Sequence, residues 1–223
     1  MDNERYTDLC RGIRELCRRL QWYGPDGGAE GYRGYFDAEG KLHVREIRHD
    51  YQTGFEFPPA TEEQLRATEE SLGFPLPPML RALYALVANG GFGPAYGITG
   101  ARGGYYFGDD GRYETVDMCT DSDPTVEYID LAAYEKIHGN AEKIELRPGM
   151  WPARFLHLCY DGCGEDHFLD GNSGRVYYVG CGSQEGEGFT LLLSHEANSL
   201  EEWLENWLQG ETEPWQITRF RRV

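Results

Sequence analysis

The chain has 223 residues, which is enough for one sizeable domain with an extension or for two small domains. Its 38 acidic residues outnumber its 21 basic residues, giving a formal net charge of -17, so its long-range field repels nucleic acid and anionic membranes and favours a basic protein partner. An acidic surface that serves only solubility is the alternative. The hydrophobic fraction of 40% and the aromatic fraction of 13% argue against disorder.

The N-terminus "MDNERYTDLC" is charged and lacks the apolar core of a signal peptide, and no apolar run approaches the roughly 18 residues of a spanning helix. The cysteines are few for this length, which is typical of reduced thiols: Cys10, Cys17, Cys119, Cys159, Cys163 and Cys181. We therefore expect a cytoplasmic protein.

The first elements are predicted as an amphipathic helix over residues 4–20, ended by "YGPDGG", and a β-hairpin within residues 31–57. The helix prediction depends on apolar residues at helical spacing: Tyr6, Leu9, Cys10, Ile13, Leu16, Cys17 and Leu20. In the hairpin, two alternating segments of "YRGYFDAEGKLHVREI" flank "DAEG".

Two helices should follow. Thr61 and Gln64 have the spacing of a capping box, which predicts a helix over residues 62–72 that ends at Gly73. After "FPLPP", a second apolar stripe predicts a helix that ends at Asn89 or Gly90. The stripe consists of Leu80, Leu83, Tyr84 and Val87.

Downstream of residue 94, short aromatic and β-branched runs predict antiparallel strands in "GYYFGDDGRYETVDM", in "FLHLCYDGCGEDHFLDGNSGRVYYVG" and in "GFTLLLS". A helix is predicted within "PTVEYIDLAAYEKIHG", with Tyr128, Leu131, Tyr134 and Ile137 on one face. The last helix should begin at a second capping box, Ser199 with Glu202, and end at Gly210. Its apolar face comprises Leu200, Trp203, Leu204, Trp207 and Leu208.

The glycine run "NGGFGP", residues 89–94, raises the possibility of a phosphate loop. It follows a predicted helix rather than a strand, no lysine or arginine lies between Arg81 and Arg102, and the third glycine of a dinucleotide fingerprint is missing. We interpret the run as a helix cap and turn, and predict that Gly90→Val destabilises the fold without removing any nucleotide affinity.

Cysteine and histidine residues suggest two weaker hypotheses. A zinc site could use Cys159, Cys163, His167 and Cys181, but the expected second pair of ligands is missing. A thiol hydrolase could use Cys163 or Cys119 with His157, His167 or His195, yet no helix N-terminus follows Cys163 to lower its pKa. The loop "DGCGED" lacks the ligand pattern of an EF-hand and fits a hairpin turn.

Acidic residues are concentrated between residues 109 and 130, where Arg112 is the only basic residue. As an interface this segment would attract a cationic protein, with tyrosines as anchors; as a solvated loop it would have no partner. The candidate partner-binding residues are Asp109, Asp110, Tyr113, Glu114, Asp117, Asp121 and Asp123.

The order of motifs over residues 58–210 resembles the SUKH superfamily, which includes fungal cell-wall assembly regulators and bacterial immunity proteins. The resemblance is carried by "TEEQLRATEESLGFPLPPMLRALYALVANGGFGP", then "FLHLCYDGCGEDHFLDGNSGRVYYV", then "SLEEWLENWLQG". It implies an α+β fold in which an antiparallel sheet packs against several helices. Residues 1–57 would form an N-terminal extension with a helix, and residues 211–223 a C-terminal tail.

The resemblance also implies a protein-binding module without enzymatic activity, cofactor or bound metal. Bacterial members of this kind bind and neutralise a cognate toxin, often a nuclease, and an acidic inhibitor suits a basic toxin. The alternative is a regulatory scaffold for endogenous proteins, as in the fungal members. A metal- or thiol-dependent hydrolase is the third hypothesis.

Overall fold

The computed structural model describes residues 2–19, 31–36, 42–47, 55, 57–95, 97–105, 116, 123–139, 143–162, 164–185 and 188–209. The helices are α1 (Asp2–Arg19), α2 (Glu62–Leu72), α3 (Pro78–Leu86), α4 (Leu131–His138) and α5 (Leu200–Gln209). The strands are β1 (Gly31–Phe36), β2 (Leu42–Ile47), β3 (Glu127–Ile129), β4 (Lys143–Leu146), β5 (Met150–Pro152), β6 (Phe155–Gly162), β7 (Glu165–Asp170), β8 (Val176–Glu185) and β9 (Gly188–Ala197).

The main sheet contains five antiparallel strands in the order β4-β9-β8-β7-β6. Strands β1 and β2 pair antiparallel, as the predicted hairpin requires, although its "DAEG" segment lies outside the described residues. Strands β3 and β5 form a separate parallel pair. The combination of this sheet with helices that include an N-terminal one is the predicted α+β class.

Both faces of the main sheet are buried in apolar cores. Neighbouring residues on a strand point to opposite faces, and here they belong to different cores. The larger core, which also contains residues of α1, α2, α3 and α5, receives Leu156, Leu169 and Val176 from the sheet. The second core receives Phe155, Phe168 and Tyr177, and includes Leu131 of α4 with the partly buried Ile129 and Trp151. The sheet therefore separates a layer of four helices from a layer formed by α4 and the β3–β5 pair.

Helix α1 is part of the larger core. Ile13 is fully buried, Cys10 and Cys17 are almost so, and α1 contacts both α3 and α5. The closeness of α1 to α5 is visible at Gly12, where an added Cβ would lie 3.5 Å from Leu208. The N-terminal helix thus stabilises the same core as the downstream elements.

The capping box of α2 is confirmed. The Gln64 amide donates to the Thr61 hydroxyl at 3.2 Å, and the Thr61 amide donates to the Gln64 side chain at 2.8 Å. At the other end, Gly73 has φ 73° and its amide donates to the carbonyl of Glu69 at 3.0 Å. A left-handed glycine satisfies an end carbonyl in this way, so the predicted end of α2 is also confirmed.

Helix α3 ends three residues before the predicted Asn89. The last helical amide is that of Val87, which donates to Leu83 at 2.9 Å. The Asn89 amide instead donates to the carbonyl of Pro58 at 2.9 Å. The prediction was wrong because this long-range backbone bond draws the chain out of the helix before the glycines are reached.

The predicted stripe of α4 was wrong at both ends. Tyr128 lies in β3 rather than in the helix, because residues 127–129 pair with β5. Ile137 is 79% exposed, so only Leu131 and the half-buried Tyr134 turn toward the second core. The helix begins at an aspartate cap, where the Asp130 carboxylate accepts the Ala133 amide at 2.9 Å.

The second capping box is confirmed in one half. The Glu202 amide donates to the Ser199 hydroxyl at 3.1 Å, but the Glu202 carboxylate accepts from the amide and side chain of Asn198 rather than from Ser199. The predicted apolar face of α5 is buried at Leu200, Trp203, Leu204 and Trp207. Gly210 lies outside the described residues.

The strands predicted in "FLHLCYDGCGEDHFLDGNSGRVYYVG" and "GFTLLLS" form β6, β7, β8 and β9 as expected. Of the segment "GYYFGDDGRYETVDM", only Gly104, Tyr105 and Val116 are described, and none of these three lies in a strand. Strands β4 and β5, of four and three residues, were not predicted.

Candidate protein-interaction site

The predicted acidic interface is described only at Asp123; Asp109, Asp110, Tyr113, Glu114, Asp117 and Asp121 lie outside the described residues. The Asp123 carboxylate accepts hydrogen bonds from the hydroxyl and the amide of Thr125, at 2.7 and 2.8 Å, and these bonds lower its pKa. The Asp123 amide donates to the Tyr128 hydroxyl at 3.2 Å. Asp123 is therefore anchored to the start of β3.

Strand β3 forms one wall of a groove of about 550 Å³ between β3, α4, β4, β5 and β9. Its apolar lining comes from Ile129, Tyr134 and Met150, and its polar lining from Glu127, His138, Glu145, Arg147 and Thr190. The volume lies in the range of sites that hold a small molecule or a large side chain.

An exposed ion pair connects two walls of the groove. Arg147 lies 2.6 Å from the Glu127 carboxylate, and its Nε lies 3.2 Å from the Met150 sulfur. On the α4 side, the rings of Tyr134 and His138 stack with centroids 4.2 Å apart. These contacts give the groove two charged groups that neutralise each other and a flat aromatic wall.

Glu145 supplies a second carboxylate with a different environment. Its Oε1 accepts the Thr190 hydroxyl at 2.6 Å and the Ser183 hydroxyl at 2.9 Å. These hydrogen bonds, together with one from the Ser183 amide, lower the pKa of Glu145. Among the described residues, no arginine or lysine forms an ion pair with it. Glu145 is thus an oriented, ionised carboxylate held by neutral donors.

The glycine run has a structural explanation. Gly90, Gly91 and Gly93 have φ of 82°, 79° and 100°, and the Gly91 amide donates to the Ile98 carbonyl at 2.8 Å. The Asn89 side chain, in a residue only 2% exposed, accepts the Ala101 amide at 2.8 Å. A phosphate loop presents its amides to a ligand, whereas the amides of Asn89, Gly90 and Gly91 are bonded to carbonyls of the protein.

The structure brings together Cys159 and His167, two of the four residues of the predicted zinc site, and adds a glutamate to them. Cys159 and His167 lie opposite each other on β6 and β7, and His167 Nε2 lies 3.0 Å from the Glu196 carboxylate. That carboxylate also accepts the indole N–H of Trp203 at 3.0 Å. The cluster joins β6, β7, β9 and α5.

Burial determines the chemistry of this cluster. Cys159 is fully buried, and burial raises the pKa of its thiol. The side chain of Glu196 is 33% exposed. Its partial desolvation would raise its pKa, but hydrogen bonds from His167 and Trp203 bring that pKa below its ordinary value. A nucleophilic cysteine must be an accessible thiolate, and both the burial and the raised pKa of Cys159 oppose this. The cluster supports a structural role in this conformation.

The remaining predicted residues do not join that cluster. His157 lies 2.7 Å from the Thr99 hydroxyl and 2.9 Å from the Asp166 carboxylate. His195 packs edge-on against Tyr177. Cys181 is exposed on β8, and Cys119 and Cys163 lie outside the described residues. In the described part of the chain, no three His, Cys, Asp or Glu side chains are placed to hold a metal ion.

Sequence reasoning missed Glu145. The alternation in "KIEL" carries the signal, since Ile144 and Leu146 are buried while Lys143 and Glu145 are exposed. Four residues are too few to establish a period of two, and the donors Ser183 and Thr190 are distant in sequence.

Within the described residues, no helix combines the length and the apolar character needed to cross a bilayer. The model of the SMI1/KNR4 family (SUKH-1) matches residues 59–206, from just before α2 to within α5. No curated protein and no solved structure matches the chain significantly. The family match includes the whole groove and the buried cluster around His167.

Proposed function

Because the chain belongs to the SMI1/KNR4 family (SUKH-1), a family of protein-interaction modules, we propose that it is an immunity protein. In this proposal it binds a basic cognate toxin and neutralises it by occlusion. A nuclease is the toxin class that fits best, because the surface with which a nuclease holds nucleic acid is itself basic.

The observation that carries the proposal is the net charge of -17. A field of this sign accelerates association with a cationic protein, up to about 10⁸–10⁹ M⁻¹s⁻¹ at low salt compared with about 10⁵–10⁶ M⁻¹s⁻¹ for neutral pairs. The same field repels nucleic acid, which is the substrate of a nuclease toxin. The same negative charge therefore favours binding of the toxin and keeps nucleic acid away from the inhibitor.

The groove supports the proposal because it offers both components of a protein interface. Glu145 provides a fixed negative charge, and Ile129, Tyr134 and Met150 provide apolar surface. Next to His138 in α4, Ile137 is 79% exposed and is available for an apolar contact. Interfaces commonly combine buried apolar anchors with a polar rim.

A specific interface buries about 800 Å² on each partner, which is more than this groove supplies. We propose that the acidic residues predicted to bind the partner, of which Asp123 is described, supply further contacts. Asp123 lies four residues before the start of β3, and its amide donates to the Tyr128 hydroxyl of β3 at 3.2 Å.

The proposal is tested by producing the chain together with the toxin encoded beside its gene. We expect protection of growth, a complex that survives purification, and an association rate that falls steeply as salt is raised. Absence of both complex and protection contradicts the proposal. A stable complex with endogenous proteins, without protection, would instead support the regulatory-scaffold alternative.

A further inference from the structure

The groove between β3, α4, β4, β5 and β9 contains an oriented carboxylate, Glu145, that forms no ion pair with any described arginine or lysine. We propose that this groove binds an arginine side chain of the protein partner, with the guanidinium on Glu145. The inference rests on the proposed function only for the identity of the partner, since the groove can be tested without it.

Hydrogen bonds within the protein orient the Glu145 carboxylate. Its Oε1 is occupied by the Thr190 and Ser183 hydroxyls, at 2.6 and 2.9 Å, so the side chain is held in one orientation before any ligand arrives. Neutral donors orient a carboxylate without cancelling its charge. A pre-oriented ligand contact avoids the side-chain ordering that weakens most surface ion pairs.

Arg147, the arginine that lines the groove, already forms an ion pair with Glu127. Arg147 pairs with Glu127 at 2.6 Å and also contacts Met150. Among the described residues, the remaining carboxylate of the groove therefore has no ion-pair partner. The charge balance of the lining favours the arrival of one positive group.

The shape of the groove favours a planar cation. Guanidinium is planar and stacks on aromatic rings, and the stacked Tyr134–His138 pair gives the groove a flat aromatic wall. The apolar Ile129 and Met150 suit the hydrocarbon stem that precedes a guanidinium. Lysine would satisfy the charge but not the planar contact, so the lining favours arginine.

The test is a titration of the ¹⁵N-labelled full chain with N-acetylarginine amide, followed by NMR. N-acetylcitrulline amide, which has nearly the same shape but no charge, is the matched probe. We expect the arginine probe to shift the amide signals of Ile129, Glu145 and Thr190, and to bind roughly fivefold more tightly than the citrulline probe. Equal binding of the two probes, or shifts confined to other regions, would overturn the inference.

Glu145→Gln should reduce the preference for arginine over citrulline to about one, because it removes the charge while retaining the shape. Glu70→Gln, at an exposed position of α2, is the matched control for the loss of one negative charge and should keep the preference. An unchanged preference in Glu145→Gln, in a variant whose spectrum is otherwise native, would also overturn the inference.

The Glu145→Gln variant and the two probes, compared with formation of the toxin complex, separate this inference from the proposed function. If the toxin complex forms and resists Glu145→Gln while neither probe binds the groove, the arginine site is wrong and the immunity role is retained. If the arginine probe binds as expected but no toxin complex forms, the arginine site is retained and the immunity role is wrong.

Discussion

Replacing Gly90 with alanine would place a methyl group against the backbone of residues 98–100. An ideal Cβ at Gly90 would lie 2.6 Å from the Gly100 nitrogen, 2.7 Å from the Ile98 oxygen and 2.8 Å from the Gly100 Cα. All three are main-chain atoms, so no side chain can rotate away. The residue also has φ 82°, a conformation that alanine adopts at a cost of about 1–2 kcal/mol.

The clash should add an overpacking cost of about 1–3 kcal/mol, for a total of about 2–5 kcal/mol. That is a large part of a typical stability of about 5–15 kcal/mol. Gly73 provides the matched control because its φ is 73° but an added Cβ would meet nothing within 4 Å. Gly73→Ala therefore measures the cost of the left-handed backbone alone.

The assay is urea unfolding of the wild type and both alanine variants. We expect Gly90→Ala to lose about 1–3 kcal/mol more than Gly73→Ala, and the bulkier Gly90→Val to lose more again. If Gly90→Ala and Gly73→Ala agree within about 0.5 kcal/mol, close packing of the loop against residues 98–100 is not what requires glycine.

Three further predictions concern the core, the buried cluster and the thiols. Ile13→Ala should lower the free energy of unfolding by about 2–5 kcal/mol in urea, whereas Glu15→Ala on the exposed face of α1 should stay within about 0.5 kcal/mol; equal effects would exclude α1 from the core. Glu196 has a pKa below its ordinary 4.5, so its contribution to stability is present above pH 4.5 and is lost as pH falls through the folded-state pKa. Thermal melts across acidic pH should show this loss, and Glu196→Gln should flatten it; an identical acid limb in the variant would contradict the assignment. Iodoacetamide should label Cys181 in the folded protein but Cys159 only after unfolding, as measured by peptide mass spectrometry, and equal labelling rates in the folded protein would contradict the burial of Cys159.

The sequence predicted best those elements whose ends are determined by near neighbours. The box of Thr61 with Gln64 and the cap at Gly73 involve residues at most four positions apart, so the pattern contains the whole interaction. The apolar face of α5 was likewise visible from its spacing. In these cases, interactions between residues that are close in sequence determine the structure.

Predictions failed where a distant segment determines the local structure. The bond from Asn89 to Pro58 ends α3 early, and the pairing of β3 with β5 removes Tyr128 from the predicted helix. Strands β4 and β5 depend on partners for their existence, because three or four residues carry little periodicity of their own.

In the candidate site, too, the features carried by neighbouring residues were predicted and those that depend on distant segments were not. The acidic segment was found by composition alone, and Asp123 is the one described member of its candidate partner-binding residues. The groove was not found, because the donors that orient Glu145 come from β8 and β9: Ser183 is 38 positions away in sequence and Thr190 is 45 positions away. The glycine run was correctly interpreted as a turn but wrongly as the cap of α3, which ends at Leu86. The close approach of Gly90 to Gly100 is a tertiary contact that no local pattern contains.

The central claim is that an acidic surface binds and occludes a basic toxin. The most direct measurement is the inhibition of the purified toxin encoded beside the gene, titrated with the purified chain at low and at high salt. The account predicts stoichiometric inhibition at low salt, with an association rate that falls as salt is raised. Undiminished toxin activity in the presence of excess chain at low salt would contradict it.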